Sequence, residues 1–293
     1  MPVLRSMLFA PGNHARRVEK ALSGDADAVI LDLEDACPVS EKAATRPRVV
    51  EALRRPRTTL GYVRINALST EYAYGDLLAV VQAGVDGIML PKVERAHQLR
   101  TADWLITQLE RERGLRPGCI DLLPLIETGK GFAALEEITR ACSRVRRLAF
   151  GAGDLTTDLG ITWTTGELEL VKFRSDLILA SRAADLEPSI DLAWIVLNEP
   201  KGLQQSIEWG RVLGFQGKLC IHPDHVWAIN AAFTPSEAQL ANARRIVAAF
   251  EDAEQRGSAA INVDGMMIDY PIVHQARRLL DAAQRIRTPT TRS

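Results

Sequence analysis

The stretch DAVILDLEDA, residues 27–36, decides the fold. It opens with a short run rich in Val, Ile and Leu, which predicts a strand over residues 28–33 that is buried on both faces, as in a parallel sheet. Acidic residues stand where that run ends. Seven further runs of this kind lie along the chain, and they predict strands at residues 4–10, 61–65, 87–90, 121–126, 147–150, 189–194 and 218–221.

Segments with a helical period fill the intervals between these eight strands. Eight strands that alternate with crossover helices predict an α/β protein with a closed TIM (β/α)₈ barrel. An open dinucleotide-binding sheet is rejected, because the first strand runs into Pro-Gly-Asn and not into a GxGxxG loop. The predicted helices cover residues 15–22, 45–53, 74–83, 95–113, 132–140, 166–184 and 203–213.

The last strand leaves about 70 residues that a barrel does not need. We therefore predict a catalytic barrel over residues 1–233 and a helical extension over residues 234–293. The extension is predicted to contain a helix over 235–255 with Pro235 in its first turn, a polar loop over 257–264, and a last helix over 272–286. Such an extension is expected to act as a lid, on its own barrel or on a neighbouring subunit.

The charge and the cysteines exclude several classes of protein. Lys and Arg total 36 against 37 for Asp and Glu, so no net field attracts nucleic acid or an anionic membrane. The 4 cysteines form no CxxC pair and no zinc-like spacing, which favours reduced thiols. No apolar stretch approaches 18 residues, and the N-terminal run is too short for a signal peptide. We expect a soluble, cytoplasmic protein.

In barrel enzymes the carboxyl ends of the strands converge on one mouth, where reactive groups lie. Nearly every predicted strand brings a polar residue to that end, and this pattern favours an enzyme. These residues are Asp32, Glu34, Asp35, Arg64, Asn66, Lys92, Glu94, Glu127, Asp154, Asp191 and His222.

Glu127 and Asp154 follow successive strands, so their carboxylates are expected side by side at the mouth. Two carboxylates this close repel each other, and a hard divalent cation such as Mg²⁺ compensates them. The alternative is that each carboxylate caps the helix that follows it. The two strands alone do not decide between a metal site and helix caps.

The remaining charged residues have alternative roles as well. Arg64 is either a bidentate ligand for a substrate carboxylate or a partner for a nearby acid such as Glu34. Lys92 is interpreted as an ion-pair partner of the acidic cluster in preference to a Schiff-base nucleophile. Glu34 and Asp35 point to opposite faces, so with Lys92 they are expected to position the site and not to bind the metal. His222 is a general base or a turn residue.

An ordered set of motifs, spanning about residues 4–275, resembles the citrate lyase β-subunit-like proteins of the HpcH/HpaI aldolase group. Each motif alone is weak, whereas the complete set in this order is specific. The motifs are RSMLFAPGN, DAVILDLEDA, VRIN, GIMLPKVE, LPLIET, FGAGDLTTDLG, GKLCIHP and DGMMIDYP.

The resemblance implies an enzyme that cleaves or forms a C–C bond between an acyl-CoA and a 2-oxo acid, with Mg²⁺ held by Glu127 and Asp154. Arg64, together with Glu127, would bind the 2-oxo acid. Asp269 would be the acid/base, donated by a neighbouring subunit, which implies a homo-oligomer such as a trimer or hexamer. Arg16 and Lys20, together with His14 and Arg17, would supply positive charge for the CoA phosphates.

Three functions follow from these expectations. The first is a lyase acting on citramalyl-CoA, malyl-CoA or a citryl thioester, which releases an acyl-CoA such as acetyl-CoA and a 2-oxo acid. The second is an aldolase that cleaves CoA-free hydroxy-oxo acids with the same metal; the Asp269 segment argues against it. The third is a non-catalytic barrel that serves as a subunit or scaffold, since a fold does not determine a function.

Overall fold

The computed structural model describes residues 3–286, so residues 1, 2 and 287–293 of the predicted ranges lie outside the described part of the chain. The described residues form two units, one of residues 4–231 and the other of residue 3 with residues 232–286. In the first unit, eight parallel strands close into a barrel in the order of the chain. The predicted TIM barrel is therefore confirmed.

The strands are short and their carboxyl ends meet at one mouth. They are β1 Ser6–Pro11, β2 Ala28–Asp32, β3 Leu60–Arg64, β4 Gly87–Leu90, β5 Asp121–Ile126, β6 Ala149–Phe150, β7 Ile190–Asp191 and β8 Gly217–Cys220. The helices of this part of the chain are α1 Ala15–Leu22, α2 Lys42–Arg54, α3 Ala73–Val80, α4 Ala96–Glu112, α5 Gly129–Ala133, α6 Leu135–Thr139, α7 Ala152–Leu159, α8 Val171–Ala183, α9 Pro200–Leu213 and α10 Asp224–Ala232.

The interior of the barrel is a packed hydrophobic core. Every residue of β2 is buried, because one side of the strand faces the interior and the other faces the helices. Ala28 and Ile30 belong to the interior cluster, whereas Val29 and Leu31 are buried outside it. The same cluster contains Leu4, Met7, Leu60, Tyr62, Met89, Leu123, Leu125, Ala149, Ile190 and Leu219.

The structure differs from the predicted elements in several places. The predicted helix over 132–140 is instead two five-residue helices, α5 and α6, that meet at Ala134. The predicted helix over 166–184 begins only at Val171, because Glu167 takes a left-handed conformation (φ 53°) ahead of a 3₁₀ turn. Strands β6 and β7 are two residues long, shorter than the predicted 147–150 and 189–194.

The second unit contains α11 Glu237–Gln255, β9 Ile261–Val263, β10 Met266–Ile268 and α12 Tyr270–Arg285. Its core contains Phe250, Ile268 and Val273. Pro235 was expected in the first turn of α11, but Ser236 is the N-cap and accepts the N–H of Gln239, so Pro235 precedes the helix. That the extension forms a lid stays a prediction.

The predicted loop over 257–264 was wrong in part, because β9 within it pairs antiparallel with β10. Asp264 and Gly265 form the turn with positive φ values of 52° and 81°. An Asp-Gly pair between two apolar runs is a strong hairpin signal in a sequence, and it was available here. Between residues 3 and 286, no helix combines the length and the apolar character needed to cross a membrane.

Candidate active site at the barrel mouth

The side chain of Arg64 organises the acidic cluster at the ends of β2 and β3. Asp32 and Arg64 are neighbours in the strand register, so their side chains lie next to each other at the mouth of the barrel. Arg64 donates from Nε to Asp32 Oδ1 at 2.7 Å and from Nη2 to Asp32 Oδ2 at 2.6 Å. Its Nη1 lies 3.1 Å from Glu34 Oε2 and 3.3 Å from Asp35 Oδ2. One guanidinium charge is therefore shared among three carboxyl groups.

This arrangement limits what Arg64 is able to do for a substrate. The Nε/Nη2 edge of its guanidinium, one of the two edges that bind carboxylates in bidentate fashion, is already bound to Asp32. Burial opposes the charge on Arg64, yet the hydrogen bonds and charge of Asp32 raise the pKa of Arg64 further above its usual range. Its hydrogen bonds to Asp32 and Asp35 use three of its five N–H groups, which leaves one N–H on Nη1 and one on Nη2 for a ligand. The predicted role of Arg64 in substrate binding stays a proposal.

Lys92, which follows β4, links the acidic cluster to the predicted metal ligands. Its backbone is left-handed, with φ 51°, and its N–H donates to Glu127 Oε1 at 2.9 Å. Its Nζ donates to Glu34 Oε1 at 2.5 Å and lies 3.5 Å from Asp154 Oδ2. Burial opposes the charge, but the hydrogen bond to Glu34 raises the pKa of Lys92 above its usual range. A Schiff-base lysine needs a lowered pKa, so these contacts support the ion-pair interpretation.

Glu127 and Asp154 come from neighbouring strands of the barrel. Glu127 follows β5, whose Ile126 is in register with Phe150 of β6, and Asp154 lies in the first turn of α7 directly after β6. Glu127 is only 3% exposed. Burial and then the charge of Asp154 raise the pKa of Glu127 to about 8. The two carboxylates are thus close enough to repel each other.

Neither carboxylate caps a helix, although the sequence left this alternative open. The N-cap of α5 is Thr128, whose hydroxyl accepts the N–H of Gly131. The N-cap of α7 is Gly151, and Asp154 lies inside the helix. The pair therefore has no structural role of that kind at the mouth.

The pair fits a hard divalent cation. A cation would favour the ionised form of Glu127 and remove its repulsion with Asp154. Within residues 3–286, no three or more His, Cys, Asp or Glu side chains form a group that could hold a metal ion. Mg²⁺ does not need such a group, because it is commonly bound by one or two carboxylates and keeps water or substrate oxygens as its other ligands.

Two cavities of the barrel unit open at this site. A cavity of about 400 Å³ is lined by Glu127 and Asp154, and a cavity of about 790 Å³ is lined by Arg17, Lys20 and His222. Both cavities are lined by Phe9, Asp35 and Arg64, so they adjoin. The sequence did not identify the apolar lining residues, which include Trp163 and Ile195 in the smaller cavity.

The basic residues predicted to bind CoA lie on α1 and at its start. Lys20 lines the larger cavity, as does Arg17. Arg16 is exposed and does not line it, so it is less well placed than Arg17. His14 is exposed at the N-cap of α1.

The predicted mouth residue Asp191 was placed wrongly. It lies on β7 and is fully buried, where it binds Lys218 Nζ at 2.6 Å and Arg174 Nε at 2.8 Å. A Cβ on Gly210 of α9 would lie 2.8 Å from Asp191 Oδ2, so the carboxylate faces the helices. Successive residues of a strand point to opposite sides of the sheet, and the side chain of Asp191 points outward, away from the barrel interior.

Two other predicted residues have local structural contacts. The backbone N–H of Asp224 donates to Nδ1 of His222 at 3.3 Å, as in a turn. The side chain of His222 also lines the larger cavity. Asp269 belongs to the second unit, where it is the N-cap of α12 and accepts the N–H of Ile272 at 3.5 Å. Its predicted acid/base role stays a proposal.

Comparison with known proteins extends these observations. Residues 5–223 match the family model for HpcH/HpaI aldolase/citrate lyase. The chain is 36% identical over 285 residues to the citrate lyase subunit beta of Leuconostoc mesenteroides subsp. cremoris, covering 95% of this chain and 93% of that protein. It is 34% identical over 288 residues to a (3S)-malyl-CoA thioesterase of Cereibacter sphaeroides, covering 96% and 95%.

A similar solved structure is CitE from Mycobacterium tuberculosis in complex with magnesium, acetoacetate and coenzyme A. It has a TM-score of 0.74 and 29% identity, over 96% of this chain and 98% of that one. These matches define an enzyme of the lyase class. The chain belongs to the HpcH/HpaI aldolase/citrate lyase family, as its motifs predicted. This membership argues against the non-catalytic alternative.

Proposed function

We propose that this enzyme is a Mg²⁺-dependent lyase that cleaves a 3-hydroxyacyl-CoA into an acyl-CoA and a 2-oxo acid. One observation supports the proposal: Glu127, which is buried, and Asp154 line the same cavity at the barrel mouth, where burial and the charge of Asp154 raise the pKa of Glu127. The complex of CitE with magnesium, acetoacetate and coenzyme A supports the same assignment by similarity.

The proposed reaction breaks the bond between C2 and C3 of the hydroxyacyl chain. The C3 hydroxyl loses its proton and becomes the ketone of the 2-oxo acid, while the bonding electrons pass to the thioester carbonyl as an enolate. The enolate then takes a proton at C2 and leaves as acyl-CoA. When bound, Mg²⁺ supplies a Lewis acid for the oxygens of the 2-oxo acid.

The residues of the chain have separate roles in this proposal. Glu127 and Asp154 hold the cation, and Lys92 fixes Glu127 through its N–H and screens Asp154 through Nζ. Arg64 orients Asp32 and offers its two remaining N–H groups to the carboxylate of the 2-oxo acid. Asp269 donates the proton at C2, from a neighbouring subunit of a trimer or hexamer, in a cytoplasmic enzyme.

The larger cavity suits the CoA part of the substrate. Arg17 and Lys20 carry the positive charge that phosphates require, and Leu197 and Ile221 provide an apolar surface for the pantetheine chain. This favours a CoA ester over the CoA-free substrate of an aldolase.

Purified protein tests the proposal directly. With Mg²⁺, citramalyl-CoA, malyl-CoA or citryl-CoA is expected to release a 2-oxo acid together with acetyl-CoA, measured by chromatography. Excess EDTA should lower the rate at least about 100-fold, because a Lewis acid contributes several kcal/mol, and added Mg²⁺ should restore it. Release of free CoA without a 2-oxo acid would indicate thioester hydrolysis and contradict the proposal.

Gly151 is predicted to be needed for the position of Glu127. A Cβ at this residue would lie 2.5 Å from Glu127 Oε2 and 2.7 Å from its Cβ, so Gly151→Ala must displace the carboxylate. We expect Mg²⁺ affinity, measured by titration calorimetry, to fall about 10- to 100-fold, as for other groups that position metal ligands. The control is Gly166→Ala, whose Cβ would meet no atom closer than 3.8 Å. Equal affinities in the two variants would contradict the assignment.

A further inference from the structure

We infer that the 2-oxo acid released here carries a single carboxylate and a small uncharged group at C3, as pyruvate does, and not a second carboxylate, as oxaloacetate does. This inference rests on the proposed function and adds to it the charge of the substrate. It follows from the residues that line the cavity of about 400 Å³.

The first observation is the excess of negative charge. Among the described residues that line this cavity, Asp35, Glu127 and Asp154 are acidic and Arg64 alone is basic. Arg64 is already bound to Asp32, Glu34 and Asp35. Counting the adjoining Asp32, Glu34 and Lys92, five carboxyl groups face two basic side chains, and the two charges of one Mg²⁺ would offset only part of this acidic excess.

The second observation is the character of the rest of the wall. Trp163, Ala193 and Ile195 line the cavity together with apolar residues from the barrel strands. Thr157 is the hydroxyl residue of this lining, and it donates to the carbonyl of Gly153 at 3.0 Å. Trp163 offers one neutral N–H, which does not compensate a charge.

The substrate must be complementary to both features. One carboxylate is accounted for by the cation and by the unpaired N–H groups at the start of α7, where Ala152, Gly153 and Asp154 line the cavity. A second carboxylate would lie against apolar side chains beside a site that is already negative, and a desolvated carboxylate without a partner is strongly disfavoured. The methyl group of pyruvate has no such desolvation cost and would contact the apolar wall.

Two matched substrates test this inference. Citramalyl-CoA and citryl-CoA both yield acetyl-CoA, and they differ in whether C3 carries a methyl group or a carboxymethyl group. We expect kcat/KM to favour citramalyl-CoA at least about 100-fold with saturating Mg²⁺. Equal or faster cleavage of citryl-CoA would overturn the inference while leaving the proposed lyase intact, whereas no cleavage of either ester, nor of malyl-CoA, would contradict the proposed function itself.

A charge placed on the wall provides the second arm of the test. Ile195 is 48% exposed, so the Ile195→Arg variant should fold. Because Ile195 lines the cavity, the new Arg would place a positive charge on its apolar wall, opposite a second carboxylate of the substrate. We expect this variant to shift the ratio of kcat/KM values toward citryl-CoA at least about 10-fold, mainly through KM. The control is Val196→Arg, since Val196 is 38% exposed and lines neither cavity. An unchanged ratio in a folded Ile195→Arg protein, checked by circular dichroism, would overturn the inference.

Discussion

The Glu127→Gln variant is expected to lose about 10³-fold in kcat/KM for Mg²⁺-dependent cleavage. Gln has the same size and keeps an oxygen for the N–H of Lys92, which Glu127 accepts at 2.9 Å. It removes the negative charge, and with it the repulsion from Asp154 that a cation compensates. A loss of this size corresponds to about 4 kcal/mol of transition-state stabilisation, within the range for a bound Lewis acid. Initial rates at several Mg²⁺ concentrations measure it.

The matched control is Glu94→Gln, because Glu94 follows β4 near the mouth but lines neither cavity. Its carboxylate lies 3.8 Å from Lys130 Nζ, whose side chain is exposed. Removing this surface pair should change the rate by less than roughly 3-fold. If Glu127→Gln retained the wild-type rate and the wild-type dependence on Mg²⁺, the metal assignment would be wrong.

The Asp191→Ala variant is expected to destabilise the barrel by about 3–5 kcal/mol, the range for breaking a buried ion pair on one side. Asp191, Lys218 and Arg174 are all fully buried, and removal of the carboxylate leaves two cations without that partner. Glu167, which binds Arg174 at 2.7 Å, would compensate only part of this charge. Urea unfolding, monitored by circular dichroism, measures the free energy of unfolding.

The control for this variant is Asp176→Ala, which removes an exposed pair with Lys172 on α8 and should cost less than about 1 kcal/mol.

Burial opposes ionisation of Asp191, but the charges of Lys218 and Arg174 hold the pKa of Asp191 below its usual range. A lowered pKa stabilises the fold above the ordinary aspartate pKa of about 4, and this contribution is lost as the pH falls further. The stability gap between wild type and Asp191→Ala should therefore narrow in acid. A stability difference that grows at acid pH would contradict the interpretation that Asp191 is held ionised by Lys218 and Arg174.

Much of the fold could be predicted from local patterns of residues. Strands β4 and β5 have the predicted bounds, Gly87–Leu90 and Asp121–Ile126, because a short apolar run that ends in a polar residue is a strong signal of a buried parallel strand. Strands β6 and β7 are shorter than predicted, since an apolar run does not reveal where the ladder of hydrogen bonds stops. The hairpin at Asp264 and Gly265 carries its own turn signal, an Asp-Gly pair between two apolar runs, although a loop was predicted up to Asp264.

The site could be predicted less completely. The rule that strand ends converge placed Glu127 and Asp154 at one mouth, and the structure brings them within electrostatic reach. The same rule failed for Asp191, because a strand buried on both faces has no polar alternation from which the direction of a side chain could be read. The apolar wall of Trp163 and Ile195 comes from two loops about 30 residues apart, which no local pattern connects.

The amino-acid sequence by itself determined the number and order of the barrel strands and the acidic groups at their ends, because an apolar run and the polar residue that ends it are local features of the chain. Only the tertiary structure decided which charges pair. Arg64 binds Asp32, and Lys92 binds Glu34, because ion pairs form over a few ångströms between residues that are tens of positions apart. The contacts that close the barrel bring those residues together, and the same contacts place Glu127 and Asp154 in the lining of one cavity at its mouth.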